Sequence, residues 1–420
     1  MLYSLEKNVN ERENSMADQT DLKVTVLTTS FPRFKGDNAG RFVCKFANEL
    51  SLLGVIIKVI APHDSKVVPA HYPFIVKHFR YFFPESMQSL VYGAGIASRI
   101  KNNIFRIFQF PFLMFSFFLE ARKNSGETHI FHSYWTFAGL VAMAVKMFNS
   151  TPVVINLWGS DILFLKVPVL WPLLCRIFNK ADAIVCESEH FAEQLIEKGI
   201  FKERIHICRN GIDLEKFKVE ENKFQPKELQ LPLDCPLILA VGNLSERKGH
   251  NYLLAALPRI LEDYGPVKLV IVGEGEFRDS LESNIEKRGL EKHVSLVGFQ
   301  SEENIPSWLN LADIFVLPSL LEGTPNILLE AMACKLPILT TDVGGIGSVI
   351  KDGYNGIIIP PRSESKLAEG VISLLQDPDL CQRLAVNAQS TLHSQYGNWK
   401  KQASVLKTLY SQVLEKKNLS

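Results

Sequence analysis

The sequence predicts an α/β protein built from two Rossmann-like domains, each a parallel sheet covered by helices on both faces. Three observations predict it. The chain has 420 residues, beyond the roughly 250–300 at which a single core stops growing. Short apolar, β-branched runs alternate with longer helical patterns, and near-continuous apolar strands of this kind belong to parallel sheets buried on both faces. The scheme then occurs twice, on either side of one polar stretch.

In chain order, the first twenty residues are polar and charged and read as a disordered extension without a secretory signal. Five strands are expected in the first half, at 24–29, 54–60, 129–132, 152–157 and 182–187. RNGID (209–213) and the Pro-containing EENKFQPKELQLP (220–232) mark the junction. Five more strands are expected at 237–242, 267–273, 294–298, 313–319 and 337–342. A ligand cleft is expected between the domains, at the carboxyl ends of the strands.

Composition narrows the function classes. Hydrophobic residues make up 46% and charged residues 22%, with a formal charge of +1. That balance gives no global attraction to nucleic acid. Seven scattered cysteines without a C-x-x-C pair argue for reduced thiols and a cytoplasmic protein, and against a cysteine metal site. The apolar run 104–119 is interrupted by Arg106, Gln109 and Pro111 and reads as too short to cross a bilayer.

The stretch EGTPNILLEAMA (322–333) carries a carboxylate at each end. Gly323 disfavours helix, Pro325 suits a first helical position, and Thr324 suits its N-cap. Glu322 then lies on a loop and Glu330 in the second turn of a helix whose N-terminus attracts anions. A ligand carrying both phosphate and hydroxyls satisfies this arrangement, and a nucleotide sugar is such a ligand.

GSDI (159–162), RNGID, VGNLSERKG (241–249), the Glu322-x7-Glu330 stretch, TDVGG (341–345) and DGYNG (352–356) occur in the order seen in family 4 retaining glycosyltransferases, which the chain resembles over nearly its whole length. The resemblance implies the GT-B fold, two Rossmann-like domains with parallel sheets facing across a cleft. It also implies that the last helix, about Trp399 to Lys416, returns to the N-terminal domain. The domains are therefore expected at 21–208 plus 398–420, for the acceptor, and at 209–397, for the nucleoside diphosphate sugar.

The resemblance implies donor binding by Gly242, Asn243, Lys248, Gly298, Glu322, Gly323, Thr324, Pro325, Asn326, Ile327 and Glu330. Lys248 matches the family's phosphate-binding lysine, Glu330 grips the ribose hydroxyls, and Glu322 lies by the sugar's anomeric face. Breaking the sugar–diphosphate bond develops charge on the leaving phosphate, so positioned cations are required. The family has arginine where this chain has Asn243, which leaves Arg247 to supply the second charge or leaves the phosphate less neutralised. Gly344 and Gly345 permit close approach of the backbone to the ligand. Beyond them Ile346-Gly347-Ser348 stands where the family has Ile-Pro-Glu.

In the N-terminal half, SFPRFKGDNAGRF (30–42) reads as a loop opening a helix near Ala39, with Gly36 and Gly40 either offering backbone N–H groups to the diphosphate or shaping the turn. Trp158 occupies the position where the family carries a histidine. His132, at a strand end, is either its substitute or structural, and Asp161 either binds acceptor or caps the next helix. The aromatic segment from Tyr72 to Arg122 reads first as a core-facing helical hairpin. Its Arg80, Arg99, Lys101 and Arg106 also suit an interfacial membrane contact, which a lipid-linked acceptor would use.

The expectation is a hexosyltransferase-type enzyme. It moves a sugar from a nucleotide sugar to a glycan or lipid-linked acceptor with retention, without cofactor or metal, in the cytoplasm or at the inner face of the membrane. A nucleotide-sugar 2-epimerase and a silent nucleotide-sugar binder are the alternatives.

Overall fold

The computed structural model describes residues 22–92, 96, 99–100, 103–158, 161–165, 167, 170–220 and 235–419. The 1–20 extension, Lys101, Gly159 and Ser160 of GSDI, and residues 221–232 of the junction lie outside the described residues. The chain divides into two compact units: the described residues up to Gly211 together with those from Trp399 onward, and Ile212–Asn398.

The first unit holds a seven-stranded sheet in the order β3-β2-β1-β4-β5-β6-β7. Its strands are β1 (Lys23–Thr28), β2 (Ile56–Pro62), β3 (Ile75–Phe79), β4 (Ile130–Tyr134), β5 (Val153–Asn156), β6 (Ala183–Cys186) and β7 (Ile205–Ile207). All the pairings are parallel. Strands β4, β5 and β6 are buried along their whole length, so both of their faces are mainly apolar.

Helix α1 (Arg41–Leu52) follows β1, α2 (Phe110–Lys123) precedes β4, and α3 (Thr136–Lys146) follows it. The Tyr72–Arg122 segment is not a helical hairpin. Its first part, IVKHF, is the strand β3, paired with β2 in the register Lys58↔Ile75, and only the second part is α2. Alternating exposure along β3 is the pattern of an edge strand with one wet face. With the 3-10 turn before it, α2 forms a continuous 20-residue helical stretch, Ile104–Lys123, long and apolar enough to cross a membrane. The run measured in the sequence stopped four residues short of that length.

The second unit holds a six-stranded parallel sheet in the order β10-β9-β8-β11-β12-β13. Its strands are β8 (Leu237–Val241), β9 (Lys268–Val272), β10 (Val294–Leu296), β11 (Ile314–Leu317), β12 (Ile338–Thr341) and β13 (Ile357–Ile359). Helix α4 (His250–Asp263) follows β8, and α5 (Asn326–Ala333) follows β11.

The chain closes with α6 (Trp399–Asn418), which belongs to the first unit. There Trp399 meets Phe46 of α1 edge-on with ring centroids 5.2 Å apart, and Lys407 Nζ donates to the Leu53 carbonyl at 2.8 Å. In each sheet the strand order reverses once, between β1 and β4 and between β8 and β11. Loops leaving the carboxyl ends of strands diverge at such a point and leave room for ligand.

Candidate functional site

In the second unit the loops after β8 and β11 meet at the reversal point. Lys248 Nζ is 2.5 Å from Glu322 Oε1, and Ser319 Oγ donates to the same oxygen at 2.7 Å. Lys248 and Glu322 are 9% and 8% exposed, and Ser319 is fully buried. Removing either partner of a buried ion pair leaves an uncompensated charge, at a cost of about 3–5 kcal/mol. Arg247 and Asn243 flank the pair on exposed backbone.

Glycines set the spacing of these loops. A Cβ on Gly242 would lie 3.3 Å from Lys248 Cε, so the bare backbone is what lets the lysine fold back beneath the strand end. Gly344 adopts φ +56, and a Cβ there would sit 1.8 Å from the Glu322 carbonyl oxygen. The TDVGG loop therefore lies directly on the backbone of Glu322. It is held by Gly345 N–H donating to the Gly323 carbonyl at 3.1 Å, while Leu320 N–H donates to the Arg247 carbonyl at 2.7 Å. Three loops thus share one backbone framework. Gly298, farther along the sheet after β10, accepts from Gly273 N–H at 2.9 Å.

Helix α5 begins one residue later than expected. Pro325 is its N-cap, in extended conformation with ψ 122, and its own side chain makes no capping bond. Thr324 is therefore not the cap, because a proline in extended conformation ends the loop without helical backbone before it. Asn326 and Ile327 open the helix half-buried, and Glu330 is 5% exposed in its second turn. The eight-residue spacing from Glu322 thus runs from a loop to a helix.

In the first unit the 30–42 loop follows β1. Gly40 has φ +60, and a Cβ there would meet the Ser30 carbonyl oxygen at 2.1 Å, whereas Gly36, at φ +90, has nothing within 4 Å. Gly40 is thus required by packing, and Gly36 leaves backbone open. Arg33 braces the loop through Asp37 at 2.6 Å and Asp64 at 3.3 Å. These ties hold the Asp37 carboxyl below the usual carboxylate range although burial pushes it up. Helix α1 starts at Arg41, two residues after the expected Ala39.

Asp161 caps the preceding helix, α3. Its carboxylate accepts from Thr136 N–H at 3.0 Å and Thr136 Oγ1 at 2.7 Å, at the start of α3, and from Trp158 N–H at 2.9 Å. Burial pushes its pKa up to about 6 against those hydrogen bonds. Asp161 is 4% exposed, and all its assigned contacts are internal. Trp158 is 7% exposed and stacks obliquely on Phe42, ring centroids 4.2 Å apart. Among the described residues its indole N–H has no hydrogen-bond partner. Beside it Trp135 holds φ 69 at the end of β4, a conformation costly for a bulky residue.

His132 sits where the structural alternative places it. It is fully buried mid-strand in β4, with Nδ1 2.6 Å from Tyr410 Oη of α6. Desolvation lowers its pKa to about 3. Packed beneath α6, its ring has no exposure to solvent. Sequence reasoning missed Ser319, Asp37 and the pairing of Lys248 with Glu322. Of these, Ser319, three residues before Glu322, and Asp37, four residues after Arg33, lay within reach of a local pattern.

Two family models match the chain. One, described as Glycosyltransferase Family 4, covers residues 39–216, and the other, Glycosyl transferases group 1, covers residues 221–391. The chain is 33% identical to alpha-D-kanosaminyltransferase of Streptomyces kanamyceticus over 50% of its own length and 55% of that protein, so it spans about half of that relative. It is 27% identical to the amylovoran biosynthesis glycosyltransferase AmsK of Erwinia amylovora, over 84% of this chain and 91% of that one. The crystal structure of Anabaena Alr3699/HepE in complex with UDP-glucose shares the fold, with a TM-score of 0.73 and 19% identity, covering 93% of this chain and all of that one. The two sheets are those of a GT-B protein, and the chain belongs to the group 1, family 4 glycosyltransferases.

Proposed function

We propose that the protein is a hexosyltransferase that moves a sugar from a nucleoside diphosphate sugar to a glycan or lipid-linked acceptor with retention of configuration. It works at the inner face of the membrane in cell-surface polysaccharide or glycoconjugate synthesis. The observation that carries the reading is the buried Lys248–Glu322 pair at the reversal point of the second sheet.

Lys248 supplies fixed positive charge where the leaving diphosphate develops negative charge, and the exposed Arg247 adds to it. Glu322 holds Lys248 in place and offers its second oxygen to a sugar hydroxyl. Glu330 takes the ribose hydroxyls. On the retaining route the bond from the anomeric carbon to the diphosphate oxygen breaks, and the acceptor oxygen bonds to that carbon from the same face. The acceptor proton passes to the departing diphosphate. No side-chain base is needed, which agrees with Trp158 at the family's histidine position, since an indole N–H only donates. Charge neutralisation by Lys248, Arg247 and backbone donors requires no resident metal, so turnover is expected to survive a chelator.

The test is incubation with a panel of nucleotide sugars, with and without membrane extract, following free nucleoside diphosphate. UDP-sugars head the panel, because a protein of the same fold holds UDP-glucose. Diphosphate released only with extract supports transfer. A new nucleotide sugar formed without acceptor makes the protein an epimerase, and no turnover with any donor makes it a binder.

A further inference from the structure

We propose that α2, with the turn after β3, is a docking face that lies flat in the surface of an anionic bilayer. Phe105, Phe108, Phe112, Phe115 and Leu119 recur every three or four residues and are 40–74% exposed, so they form one stripe along the helix. Phe83, at 91% exposed, extends the stripe from the neighbouring turn, and Phe82 holds that turn to Phe112 with ring centroids 5.5 Å apart. A contiguous apolar face of this kind marks an interaction surface, unlike single exposed side chains.

The opposite face of α2 settles the orientation. Leu113, Phe117 and Ala121 are fully buried in the core, and Phe117 stacks on Phe79 of β3 with centroids 4.8 Å apart. A helix with one face bound into a sheet is not surrounded by lipid, so it lies along the interface and does not cross it.

Charge selects the occupant. Residues 75–123 carry seven Lys and Arg against two Glu. Both glutamates are engaged, Glu85 by Arg80 at 2.9 Å and Glu120 by Lys77 at 2.5 Å. Arg122 and Lys123 are exposed at the end of the stripe, and Arg122 lies over the exposed Phe148 ring at 4.5 Å. A second copy of the chain docking symmetrically would place these cations against their own counterparts, whereas anionic headgroups complement them. The proposal deepens the reading above, since it brings the protein to a lipid-linked acceptor.

The experiment sediments the purified chain with phosphatidylcholine vesicles, with and without phosphatidylglycerol, at rising salt. No donor or acceptor is present, so its outcome is independent of transfer. Binding to the phosphatidylglycerol vesicles at low salt, weakening as salt screens the charge, is the expected result. The triple variant Phe105→Ser, Phe108→Ser, Phe115→Ser should lower that binding roughly tenfold or more while keeping the wild-type Tm and wild-type turnover with a water-soluble acceptor. Equal binding of the triple variant, or no binding at any salt, overturns the proposal. So does concentration-dependent dimerisation, seen by light scattering, that the triple variant abolishes while vesicles are ignored.

Discussion

Lys248 Nζ and Glu322 Oε1 lie 2.5 Å apart across 74 residues of chain, and the pair gives each residue a role that neither has alone. Glu322 fixes where the lysine's charge sits before any substrate arrives. Lys248→Ala should lower turnover by roughly 10² to 10³ and lower stability by about 3–5 kcal/mol, because Glu322 is left buried and unpaired. Adding Glu322→Gln should restore most of the stability and none of the turnover. Denaturant melts and steady-state kinetics on the three variants check both halves, and near-wild-type turnover in Lys248→Ala removes the lysine from the site.

Glu322→Gln and Glu330→Gln should differ in kind. On the proposed function, Glu330, in the second turn of α5, takes the ribose hydroxyls and should mainly change donor affinity. Glu322, placed by the same proposal near the reacting carbon, should mainly change kcat. Donor titration and kcat measured separately for each variant decide it, and equal small effects from both would sink the assignment.

Gly344→Ala places a methyl 1.8 Å from the Glu322 carbonyl oxygen at φ +56. The loop carrying Glu322 must shift, so turnover should fall by on the order of 10² with a smaller change in Tm. Gly36→Ala meets no neighbour within 4 Å but sits at φ +90, so it should strain the loop backbone without the direct clash at Gly344.

Burial lowers His132 and His250 to about 3 and His206 to about 4. Unfolded histidine binds its proton below about 6.5, and these three, while folded, do not until far lower pH. The unfolded state therefore holds more protons in that window. Stability is fully present above pH 6.5 and falls as pH drops toward 4, by roughly 1.4 kcal/mol per unit for each histidine. Thermal melts from pH 7.5 to 5 should show the decline, and His132→Asn should make it shallower. Turnover per folded molecule should change modestly in that variant. A loss of several orders of magnitude with folding intact would return His132 to catalysis.

Trp158→His should retain measurable transfer if the leaving phosphate receives the proton, as proposed. Trp158→Ala removes the ring that stacks on Phe42 and should raise the acceptor KM more than the donor KM. Acceptor and donor titrations on both variants check this, and abolished transfer in Trp158→His would show that the indole itself is required.

The sequence by itself determined the fold class and most strands, because strands buried on both faces of a parallel sheet are mainly apolar, and that is legible residue by residue. VVIN and AIVC needed no partner to be recognised. The edge strand β3 and the three-residue strands β7 and β13 were not legible, since a wet face or a short length removes the apolar run. The spacing of Glu322 and Glu330 and the glycine-rich turns singled out the candidate residues of the second unit. Only the tertiary structure decided what those residues touch. Ser319, Lys248 and Glu322 converge because β8 and β11 are neighbours in the sheet though distant in the chain. Asp161 turns back to cap α3 through contacts no local pattern specifies. His132 is sealed by Tyr410, 278 residues away. Burial belongs to whatever packs on a residue, and a helix arriving from the far end of the chain leaves no mark on the strand it covers.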